Sequence, residues 1–265
     1  MATGMTESTV RAGGITTEVR RGGSGTPLLV LHSELGVPGW IDAYARLAKD
    51  FDLIVPSLPG YGRSERPDWI MGARDLAAWA TWFARDIGLR APVDVIGFSL
   101  GGWVAAEIAT VAPQFFRKLV LVGAMGVKPR AGQGEIWDYF LESGKTAFRQ
   151  AFHAPNDVAE FATHYGREWT PEETDRVEQH REMTCRVAWK PYMHSLTLPA
   201  LLPAVRTPTL VVWGKEDAIA PLDCGRRYSE LIPAARLVTI DHCGHMPEME
   251  HPEAFAGIVR EFLKS

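Results

Sequence analysis

A serine flanked by glycines lies between an apolar run and a second apolar run of helical character. The segment VDVIGFSLGGWVAAEIA contains the pattern Gly-Xaa-Ser-Xaa-Gly at residues 97–101. Between a buried strand and a helix, this pattern places a serine hydroxyl on a sharp, strained turn at the head of a sheet. The flanking glycines let the helix pack close to the strand. Ser99 is therefore the candidate nucleophile.

A serine hydroxyl is a poor nucleophile unless a base removes its proton and an acid holds that base. Asp217 follows the apolar run TLVVWG, and His245 lies in the segment DHCGHMPEMEHP before the last helical pattern. The chain order Ser, Asp, His is the one used with this type of turn. Since loops after parallel strands meet at one edge of a sheet, we predict that Ser99, Asp217 and His245 form a catalytic triad.

Neighbouring residues compete for the roles of acid and base. His242 is the alternative base, although Gly244 supplies a bend that would aim His245. The alternative acids are Glu216, Asp223 and Asp241. His242, Cys243 and His245 lack the spacing of metal ligands and a second ligand cluster, so we predict no metal site.

The same chemistry needs an oxyanion hole made of two backbone N–H groups. The residue after the nucleophile, Leu100, should supply one of them. The loop HSELG at residues 32–36, which follows the apolar run LLVL, should supply the other, and Glu34 is the candidate.

Short apolar runs alternate with longer helical patterns, which is typical of a largely parallel sheet covered by helices. The predicted strands are Thr9–Arg11, Ile15–Arg20, Pro27–His32, Leu53–Pro56, Val93–Gly97, Leu119–Gly123, Thr209–Trp213 and Arg236–Ile240, the first two as an antiparallel hairpin. The predicted helices between them are Trp40–Lys49, Ala73–Asp86, Leu100–Ala112, Leu222–Leu231 and Pro252–Leu263.

One long segment breaks this alternation. From about Val127 to about Val205 there is no convincing strand, whereas such connections normally take a handful of residues. Helical patterns within it run over Glu135–Glu142, Lys145–Phe152, Asn156–Tyr165 and Pro171–Ala188. We predict a helical cap at residues 128–205, inserted into a core made of residues 1–127 and 206–265; the alternative is a helical subdomain with no role in binding.

Composition excludes several classes of partner. There are 28 Lys and Arg against 32 Asp and Glu, a formal net charge of −4, and no basic cluster, so nucleic acid is not expected. Three scattered cysteines cannot build a disulfide framework. The start MATGMTESTV has no signal-peptide pattern, and the apolar runs are too short to span a bilayer. We expect a cytoplasmic monomer or homodimer that acts on a small molecule away from membranes.

Five segments in the right order and spacing carry a family resemblance: HSELG, SLPGYGRS, GFSLGG, WGKEDAIAP and CGHMPEMEHPEAF. The sequence resembles the α/β-hydrolase family of cofactor-free serine hydrolases, which includes carboxylesterases, lactonases and hydrolases of aromatic meta-cleavage products. The resemblance covers nearly the whole chain and implies an α/β-hydrolase fold with a mostly parallel eight-stranded sheet, an inserted helical cap and no cofactor. Related epoxide hydrolases and haloalkane dehalogenases carry Asp at the nucleophile position, so Ser99 makes both activities unexpected.

Two positions depart from the family pattern. Ser33 replaces the usual glycine after the histidine of the oxyanion loop, and Ser57 replaces the usual aspartate ahead of the PGxGxS turn. Ser57 is expected to be structural, whereas Ser33 adjoins the oxyanion hole and either reshapes it or lends its hydroxyl. A carboxylate aimed at the oxyanion would oppose catalysis. We therefore expect the Glu34 side chain to point away or to contact a polar group of the substrate.

The aromatic residues of the predicted cap favour a largely apolar pocket, although each of them could simply pack in the interior of the cap. The candidate substrate-binding residues are Ser33, Trp40, Phe98, Trp103, Met125, Trp137, Trp189 and Met246. The cap histidines are expected to make surface or cap contacts without chemistry: His153, His164, His180 and His194.

The resulting expectation is a serine hydrolase that cleaves a carboxylic ester or lactone of a hydrophobic or aromatic substrate through an acyl-enzyme on Ser99. The first alternative is a carbon–carbon bond hydrolase of a meta-cleavage-type diketone, in which Lys190 or Arg186 would hold a substrate carboxylate. More distant alternatives are a hydroxynitrile lyase, a cofactor-free oxygenase and a ligand receptor. An intact triad argues against a receptor, which would not need one.

Overall fold

A single sheet of eight strands organises the protein in the computed structural model, which describes residues 4–265. The strands are β1 (Thr6–Ala12), β2 (Ile15–Gly23), β3 (Thr26–Leu31), β4 (Phe51–Pro56), β5 (Val93–Phe98), β6 (Phe116–Val122), β7 (Thr209–Gly214) and β8 (Ala235–Ile240). Their order is β1-β2-β4-β3-β5-β6-β7-β8. The pairs β1–β2 and β2–β4 are antiparallel and the remaining pairs are parallel. The predicted sheet is therefore confirmed.

The central strands are apolar because helices cover both faces of the sheet. All residues of β5 and β7 are buried, as strands enclosed on both sides must be. The charged exception in β5 is Asp94, whose buried carboxylate forms an ion pair with Arg117. This interior fixes the carboxyl ends of β5, β6, β7 and β8, where the candidate catalytic loops begin.

The helices pack on the sheet and on one another. They are α1 (Asp42–Leu47), α2 (Ala73–Asp86), α3 (Leu100–Val111), α4 (Gly144–Gln150), α5 (Ala159–His164), α6 (Pro171–Ala188), α7 (Leu198–Leu201), α8 (Leu222–Leu231), α9 (Pro247–Glu250) and α10 (Pro252–Lys264). Helix α1 packs against α10, α2 against α3, and α8 against β7 and β8. The predicted helices α2, α6 and α8 have the bounds expected from the sequence.

Helix α6 begins where its sequence provides a complete N-terminal cap. The Thr170 hydroxyl accepts the backbone N–H of Glu173 at 3.2 Å, and the Glu173 carboxylate accepts the N–H of Thr170 at 2.8 Å. Pro171 occupies the first turn, where its missing N–H is not needed. This local signal explains why the longest helix between β6 and β7 could be predicted to the residue.

The helix predicted at Glu135–Glu142 is wrong, since this segment has no helical hydrogen bonding. Its backbone N–H groups are used by distant segments instead. The N–H of Trp137 donates to the carbonyl of Ile219 at 2.9 Å, and that of Tyr139 donates to the hydroxyl of Tyr192 at 2.7 Å. Tertiary hydrogen bonds therefore override a helical pattern in this segment.

The helix predicted at Asn156–Tyr165 is also corrected. A 3₁₀ turn covers Pro155–Asp157, Val158 is extended, and α5 follows as a separate short helix. The segment between β6 and β7 thus contains α4 to α7, and Gly126 and His194 form an isolated parallel bridge within it. The division into a core and a cap at residues 128 and 205 stays a prediction. Within residues 4–265, no helix combines the length and apolar character needed to cross a bilayer.

Candidate active site

Ser99 occupies the turn between β5 and α3 in a strained conformation. Its φ of 45° and ψ of −110° are unusual for a residue with a side chain, and such conformations cost about 1–3 kcal/mol. The backbone N–H of Ser99 donates to the carbonyl of Val122 at 2.9 Å, and its carbonyl accepts the N–H of Met125 at 3.1 Å. Both hydrogen bonds join the turn to the end of β6. They stabilise the strained backbone conformation of Ser99.

The two glycines of the motif are required by close packing of α3 on the sheet. A Cβ atom at Gly97 would lie 2.5 Å from the carbonyl oxygen of Gly101. A Cβ atom at Gly101 would collide with the backbone of Leu31 at the end of β3. The N–H of Gly101 also donates to the carbonyl of His32 at 3.1 Å. The start of α3 is therefore held against the loop that follows β3.

Asp217 and His245 meet at the carboxyl ends of β7 and β8. The distance from His245 Nδ1 to Asp217 Oδ2 is 2.8 Å, and both side chains are fully buried. The other carboxylate oxygen, Oδ1, accepts the backbone N–H groups of Ile219 and Ala220 at 2.9 Å each. These two donors fix the carboxylate, which in turn fixes the imidazole with Nε2 pointing away from Asp217.

The His245 ring lies against the backbone at the end of β6, next to the Ser99 turn. A Cβ atom at Gly123 would lie 2.9 Å from Cε1 of His245, and the preceding residue, Val122, accepts the N–H of Ser99. The Oγ of Ser99 and the Nε2 of His245 are both buried without a hydrogen-bond partner among residues 4–265. The candidate nucleophile and the candidate base therefore each keep an atom that is free for a substrate.

The alternative acids and the alternative base have other partners. The Glu216 carboxylate accepts the N–H of Cys243 at 2.9 Å and so supports the loop that carries His245. Asp223 is buried and accepts two hydrogen bonds from Arg130, whereas Asp241 is exposed and pairs with Lys215. His242 is exposed, and its ring centre lies 6.0 Å from that of His153. In residues 4–265 no three His, Cys, Asp or Glu side chains are arranged to hold a metal ion.

The electrostatics of His245 shift its protonation toward alkaline pH. Burial lowers the pKa of His245, but the charge and hydrogen bond of Asp217, with weaker effects of Glu34 and Glu248, raise this pKa to about 9. Burial also raises the pKa of Glu248 to about 8, so this neighbouring carboxyl is largely protonated at neutral pH. The base therefore reaches its neutral, active form only as the pH rises.

We expect the rate at which a fluorophosphonate probe labels Ser99 to increase with pH and to reach half of its maximum near pH 9. The reason is that only neutral imidazole can accept the serine proton, so a raised pKa of His245 moves the rising limb of the pH–rate profile to higher pH. Initial labelling rates between pH 5 and pH 10 measure this limb. Glu34→Gln should move it to lower pH, because one negative charge is removed. A limb at the ordinary histidine value near 6.5 would contradict the prediction.

The loop after β3 forms a tight turn that two of its own backbone N–H groups stabilise. The N–H of Gly36 donates to the carbonyl of Ser33 at 3.0 Å, and that of Leu35 donates to the Ser33 hydroxyl at 3.2 Å. Ser33 therefore stabilises the turn through its hydroxyl. The N–H groups of Glu34 and Leu100 donate to no backbone carbonyl in the part of the chain that the structure describes. Both remain available for an oxyanion.

His180 is a structural residue of this region whose role the sequence did not reveal. Its Nε2 accepts the N–H of Gly62 at 3.0 Å, so Nδ1 carries the proton and donates to the carbonyl of Leu35 at 3.2 Å. Burial lowers the pKa of His180 to about 4, which keeps the ring neutral. A Cβ atom at Gly36 would lie 2.5 Å from this ring. One histidine of α6 thus connects three segments, including the oxyanion loop.

Three candidate substrate-binding residues lie next to the catalytic residues. Phe98, Met125 and Met246 are all buried, and two of them directly adjoin Ser99 and His245 in sequence. The ring of Phe98 packs between Tyr44 and Phe255 at centroid distances of 6.4 and 5.8 Å, on the side of α1 and α10. Met125 is joined to the same turn by the donation of its N–H to the carbonyl of Ser99 at 3.1 Å.

The tryptophans proposed for substrate binding occupy different environments. Trp103 is buried and its indole N–H donates to Glu107 at 3.1 Å within α3. Trp40 is half-buried, with its indole nitrogen unpartnered in the described part of the chain, and Trp137 is half-buried with its backbone hydrogen-bonded to Ile219. Trp189 is 53% exposed. The structure therefore does not bring Trp189 into the buried surroundings of Ser99, because α6 ends at the surface there.

Three polar side chains near the site could not be anticipated as a group. The Glu34 carboxylate, the Tyr139 hydroxyl and the Arg181 guanidinium each contain a buried polar atom with no hydrogen-bond partner among residues 4–265. The guanidinium of Arg181 lies 5.6 Å from the centre of the Tyr139 ring. Burial raises the pKa of Tyr139 strongly; the charge of Glu34 raises it further and that of Arg181 opposes the shift. Both charges are therefore close to this phenol.

Comparison with known proteins identifies the architecture. A family model described as alpha/beta hydrolase fold matches residues 26–252. A 2-hydroxymuconate semialdehyde hydrolase of Pseudomonas sp. strain CF600 is 30% identical over 271 residues, covering 95% of this chain and 92% of the relative. A 2-hydroxy-6-oxo-6-(2'-aminophenyl)hexa-2,4-dienoic acid hydrolase of Metapseudomonas resinovorans is 26% identical, covering 97% and 90%. The crystal structure of an esterase from Rhodococcus sp. ECU1013 superposes with a TM-score of 0.77 at 24% identity, covering 98% of each chain.

Proposed function

Because this chain belongs to the alpha/beta hydrolase fold family, we propose that it is a serine hydrolase that cleaves a carbon–carbon bond beside the ketone of a meta-cleavage-type diketone. The observation that carries the proposal is the buried pair of Ser99 Oγ and His245 Nε2, both free of protein partners, with His245 held by Asp217 at 2.8 Å. The names of the two relatives above support this substrate class, since each acts on a 2-hydroxylated oxo acid or semialdehyde.

In the proposed first step, neutral His245 removes the proton of Ser99 while the hydroxyl oxygen attacks the ketone carbon. Asp217 keeps the imidazole in the tautomer whose Nε2 faces the serine and stabilises the cation that forms. The carbonyl oxygen becomes an oxyanion and receives the N–H groups of Leu100 and Glu34. Removal of one such donor typically costs on the order of 10²–10³ in rate, which is why their preorganisation on the two loops matters.

In the proposed second step, the carbon–carbon bond breaks and its electron pair leaves with the conjugated fragment. This step needs the diketone tautomer of the substrate, in which the proton of the 2-hydroxyl has moved to the carbon that leaves. The negative charge then spreads into the second carbonyl of the leaving fragment, and His245 returns its proton to carbon. The other fragment remains as an acyl ester on Ser99. A water molecule, deprotonated by His245, then attacks this ester and releases a carboxylic acid. Atoms and charges balance with water as the only co-reactant.

The proposed cap, residues 128–205, closes the site. Its longest helix, α6, reaches the oxyanion loop through the His180 contact with Leu35 and through Thr184, whose hydroxyl lies 3.4 Å from the carbonyl of Glu34. Enclosure strengthens the interactions of the oxyanion with its donors because it excludes water. It also leaves Ser99 only 2% exposed, so a substrate must enter a closed space.

A substrate of this class carries a carboxylate, and the cap offers a cation for it. The side chain of Arg181 is 13% exposed and its Nε has no partner among the described residues. The terminal nitrogens of Arg181 donate to the carbonyl of Phe140 at 3.3 Å and lie 3.6 Å from Glu178, much as Arg186 donates to the carbonyl of Pro67 at 3.4 Å. Lys190 is exposed at the end of α6. We prefer Arg181 as the group that holds a substrate carboxylate because its Nε is a buried donor left without a partner among residues 4–265.

Arg181→Gln is expected to raise the KM for a meta-cleavage product by about 10–100-fold, because a charge-assisted hydrogen bond to the substrate is lost. Steady-state kinetics with the yellow product measure this effect. Arg186→Gln, on the same helix, is the matched control and should change KM by less than about threefold. Equal effects of both substitutions would contradict the assignment of Arg181.

The experiment that tests the proposed function follows the colour of 2-hydroxy-6-oxo-6-phenylhexa-2,4-dienoate, whose conjugation is lost on cleavage. The wild type should bleach this compound and release benzoate in equal molar amounts. Bleaching without benzoate would show tautomerisation only, and no bleaching by a protein that a fluorophosphonate still labels would overturn carbon–carbon cleavage.

Ester hydrolysis is a second candidate, which a specific observation favours. The buried Glu34 carboxylate lies close enough to His245 to raise the pKa of this histidine, and its negative charge opposes a substrate carboxylate near the base. A neutral ester or lactone meets no such repulsion and uses the same acyl-enzyme. Hydrolysis of p-nitrophenyl esters from acetate to dodecanoate, by a protein that leaves the yellow product unchanged, would select this candidate.

A further inference from the structure

Two buried polar side chains beside the proposed catalytic residues lack partners that match their chemistry. Glu34 is 2% exposed, its Oε2 has no hydrogen-bond partner among residues 4–265, and an ionised carboxylate can only accept. Tyr139 is 3% exposed and its hydroxyl is also unpartnered within the same range. Buried polar groups are almost always hydrogen-bonded, so two such exceptions in one place need a physical reason.

Within residues 4–265 no hydrogen bond joins these two side chains. The charge of Glu34 acts on the phenol of Tyr139 and also on Tyr61, Tyr192 and His245. Of these, the hydroxyls of Tyr61 and Tyr192 already have partners, Thr184 at 2.8 Å and the carbonyl of Trp137 at 2.7 Å. The Glu34 acceptor and the Tyr139 donor therefore remain unused, although they are near enough to interact electrostatically.

The position of the pair relative to the proposed reaction is set by the backbone. Glu34 supplies the proposed oxyanion N–H, its side chain is buried, and its carbonyl lies 3.4 Å from the hydroxyl of Thr184. Tyr139 is held by the donation of its N–H to Tyr192, and its ring centre lies 5.6 Å from the guanidinium of Arg181. Since Arg181 and Thr184 are three residues apart on α6, Glu34 and Tyr139 both adjoin the same part of that helix.

We propose that Glu34 and Tyr139 form a subsite for a hydroxyl group of the substrate, which donates its proton to the Glu34 carboxylate and accepts the proton of the Tyr139 phenol. A hydroxyl is the simplest uncharged group that donates and accepts through one atom. A carboxylate would be repelled by Glu34, and an ammonium group could not accept from Tyr139. Binding of a hydroxyl therefore completes both hydrogen bonds.

This inference rests on the proposed function, since the relatives named above act on 2-hydroxylated compounds with a reacting carbonyl several bonds away. It adds the residues that distinguish the hydroxylated compound from its deoxy analogue. Loss of the hydroxyl leaves a buried carboxylate and a buried phenol unpaired, so discrimination should exceed that of an apolar contact. Glu34 and Tyr139 are thus specificity-determining residues.

The test measures binding in a Ser99→Ala background, where no turnover occurs. The ligands are 2-hydroxy-6-oxo-6-phenylhexa-2,4-dienoate and its 2-deoxy analogue, and tryptophan fluorescence reports Kd. Ser99→Ala should bind the hydroxylated ligand at least about tenfold more tightly than the deoxy ligand. Adding Glu34→Gln or the nearly isosteric Tyr139→Phe should reduce this ratio below about threefold, with an unchanged far-UV circular dichroism spectrum.

Glu248→Gln is the matched control, since Glu248 is also buried, has an unpartnered oxygen among residues 4–265 and acts on His245. It should leave the ratio of the two Kd values unchanged. A ratio near one in Ser99→Ala, a ratio that survives both substitutions, or no binding of either ligand would overturn the subsite. Failure of the proposed function gives a different result: Ser99→Ala binds the two ligands with the expected ratio, but the wild type does not cleave the hydroxylated ligand.

Discussion

Ser99→Ala is expected to lower kcat/KM by about 10⁴–10⁶-fold on whichever substrate the wild type hydrolyses. The hydroxyl proposed to form the acyl-enzyme is lost, and His245 Nε2 has no hydrogen-bond partner among residues 4–265 that could take its place. A small residual rate should remain because the oxyanion donors and the binding surfaces are intact. Stopped assays at high enzyme concentration measure both the loss of kcat/KM and the residual rate. Labelling by the fluorophosphonate is a second readout.

The matched control for this prediction is Ser24→Ala, which removes an exposed hydroxyl in the turn between β2 and β3. It should retain full activity and full labelling. A Ser99→Ala protein that keeps more than about a tenth of the wild-type rate would remove Ser99 from the role of nucleophile. Thermal denaturation shows whether a loss of activity is caused by unfolding. Because alanine keeps the backbone of the turn, we expect the melting temperature of Ser99→Ala to be close to that of the wild type.

Asp217→Asn is expected to lower kcat by about 10³–10⁴-fold while leaving the fold intact. The carboxylate accepts from His245 through Oδ2 and from the N–H groups of Ile219 and Ala220 through Oδ1. An asparagine keeps these two backbone donors on its carbonyl oxygen and then presents an N–H₂ group to Nδ1. The imidazole must carry its proton on Nε2 and can no longer accept from Ser99. Loss of the negative charge also lowers the pKa of His245.

The alternative acids supply the controls for Asp217. Asp241→Asn removes an exposed carboxylate paired with Lys215, and kcat should change by less than about threefold. Asp223→Asn breaks a buried pair with Arg130 and should lower the melting temperature more than it lowers kcat. Asp217→Asn should do the reverse. If Asp223→Asn or Asp241→Asn lowered kcat as much as Asp217→Asn, the acid would be misassigned.

The sequence predicted the parts of the fold that depend on local pattern. Strands β5 and β7 are apolar throughout, because both faces are covered, and such runs stand out in a chain with mixed composition. Helix α6 was predicted to the residue since its capping box lies in consecutive residues. The candidates Ser99, Asp217 and His245 follow strand ends, and one strand end could be placed beside another by the parallel order alone. These inferences needed no knowledge of side-chain contacts.

The sequence could not predict the features that depend on distant segments meeting. The 135–142 segment has a helical pattern, but its N–H groups are taken by Ile219 and Tyr192, which are 82 and 53 positions away from their partners. The approach of Arg181 to Tyr139 has the same origin. One signal was available for the contact of α6 with the oxyanion loop: His180 and Thr184 are four residues apart on a predicted helix and therefore share a face.

The ring of His180 also bears on how freely parts of this protein can be exchanged with those of its relatives. Gly36 leaves the space that the ring fills, and Gly62 donates the hydrogen bond that fixes its tautomer. A chimaera that takes residues 128–205 from another protein would bring a different side chain to this space, while residues 36 and 62 came from the recipient. Such hybrids should fold but work slowly unless all three positions are transferred together. Recombination in nature meets the same restriction, so residues 36, 62 and 180 are expected to be inherited as one block.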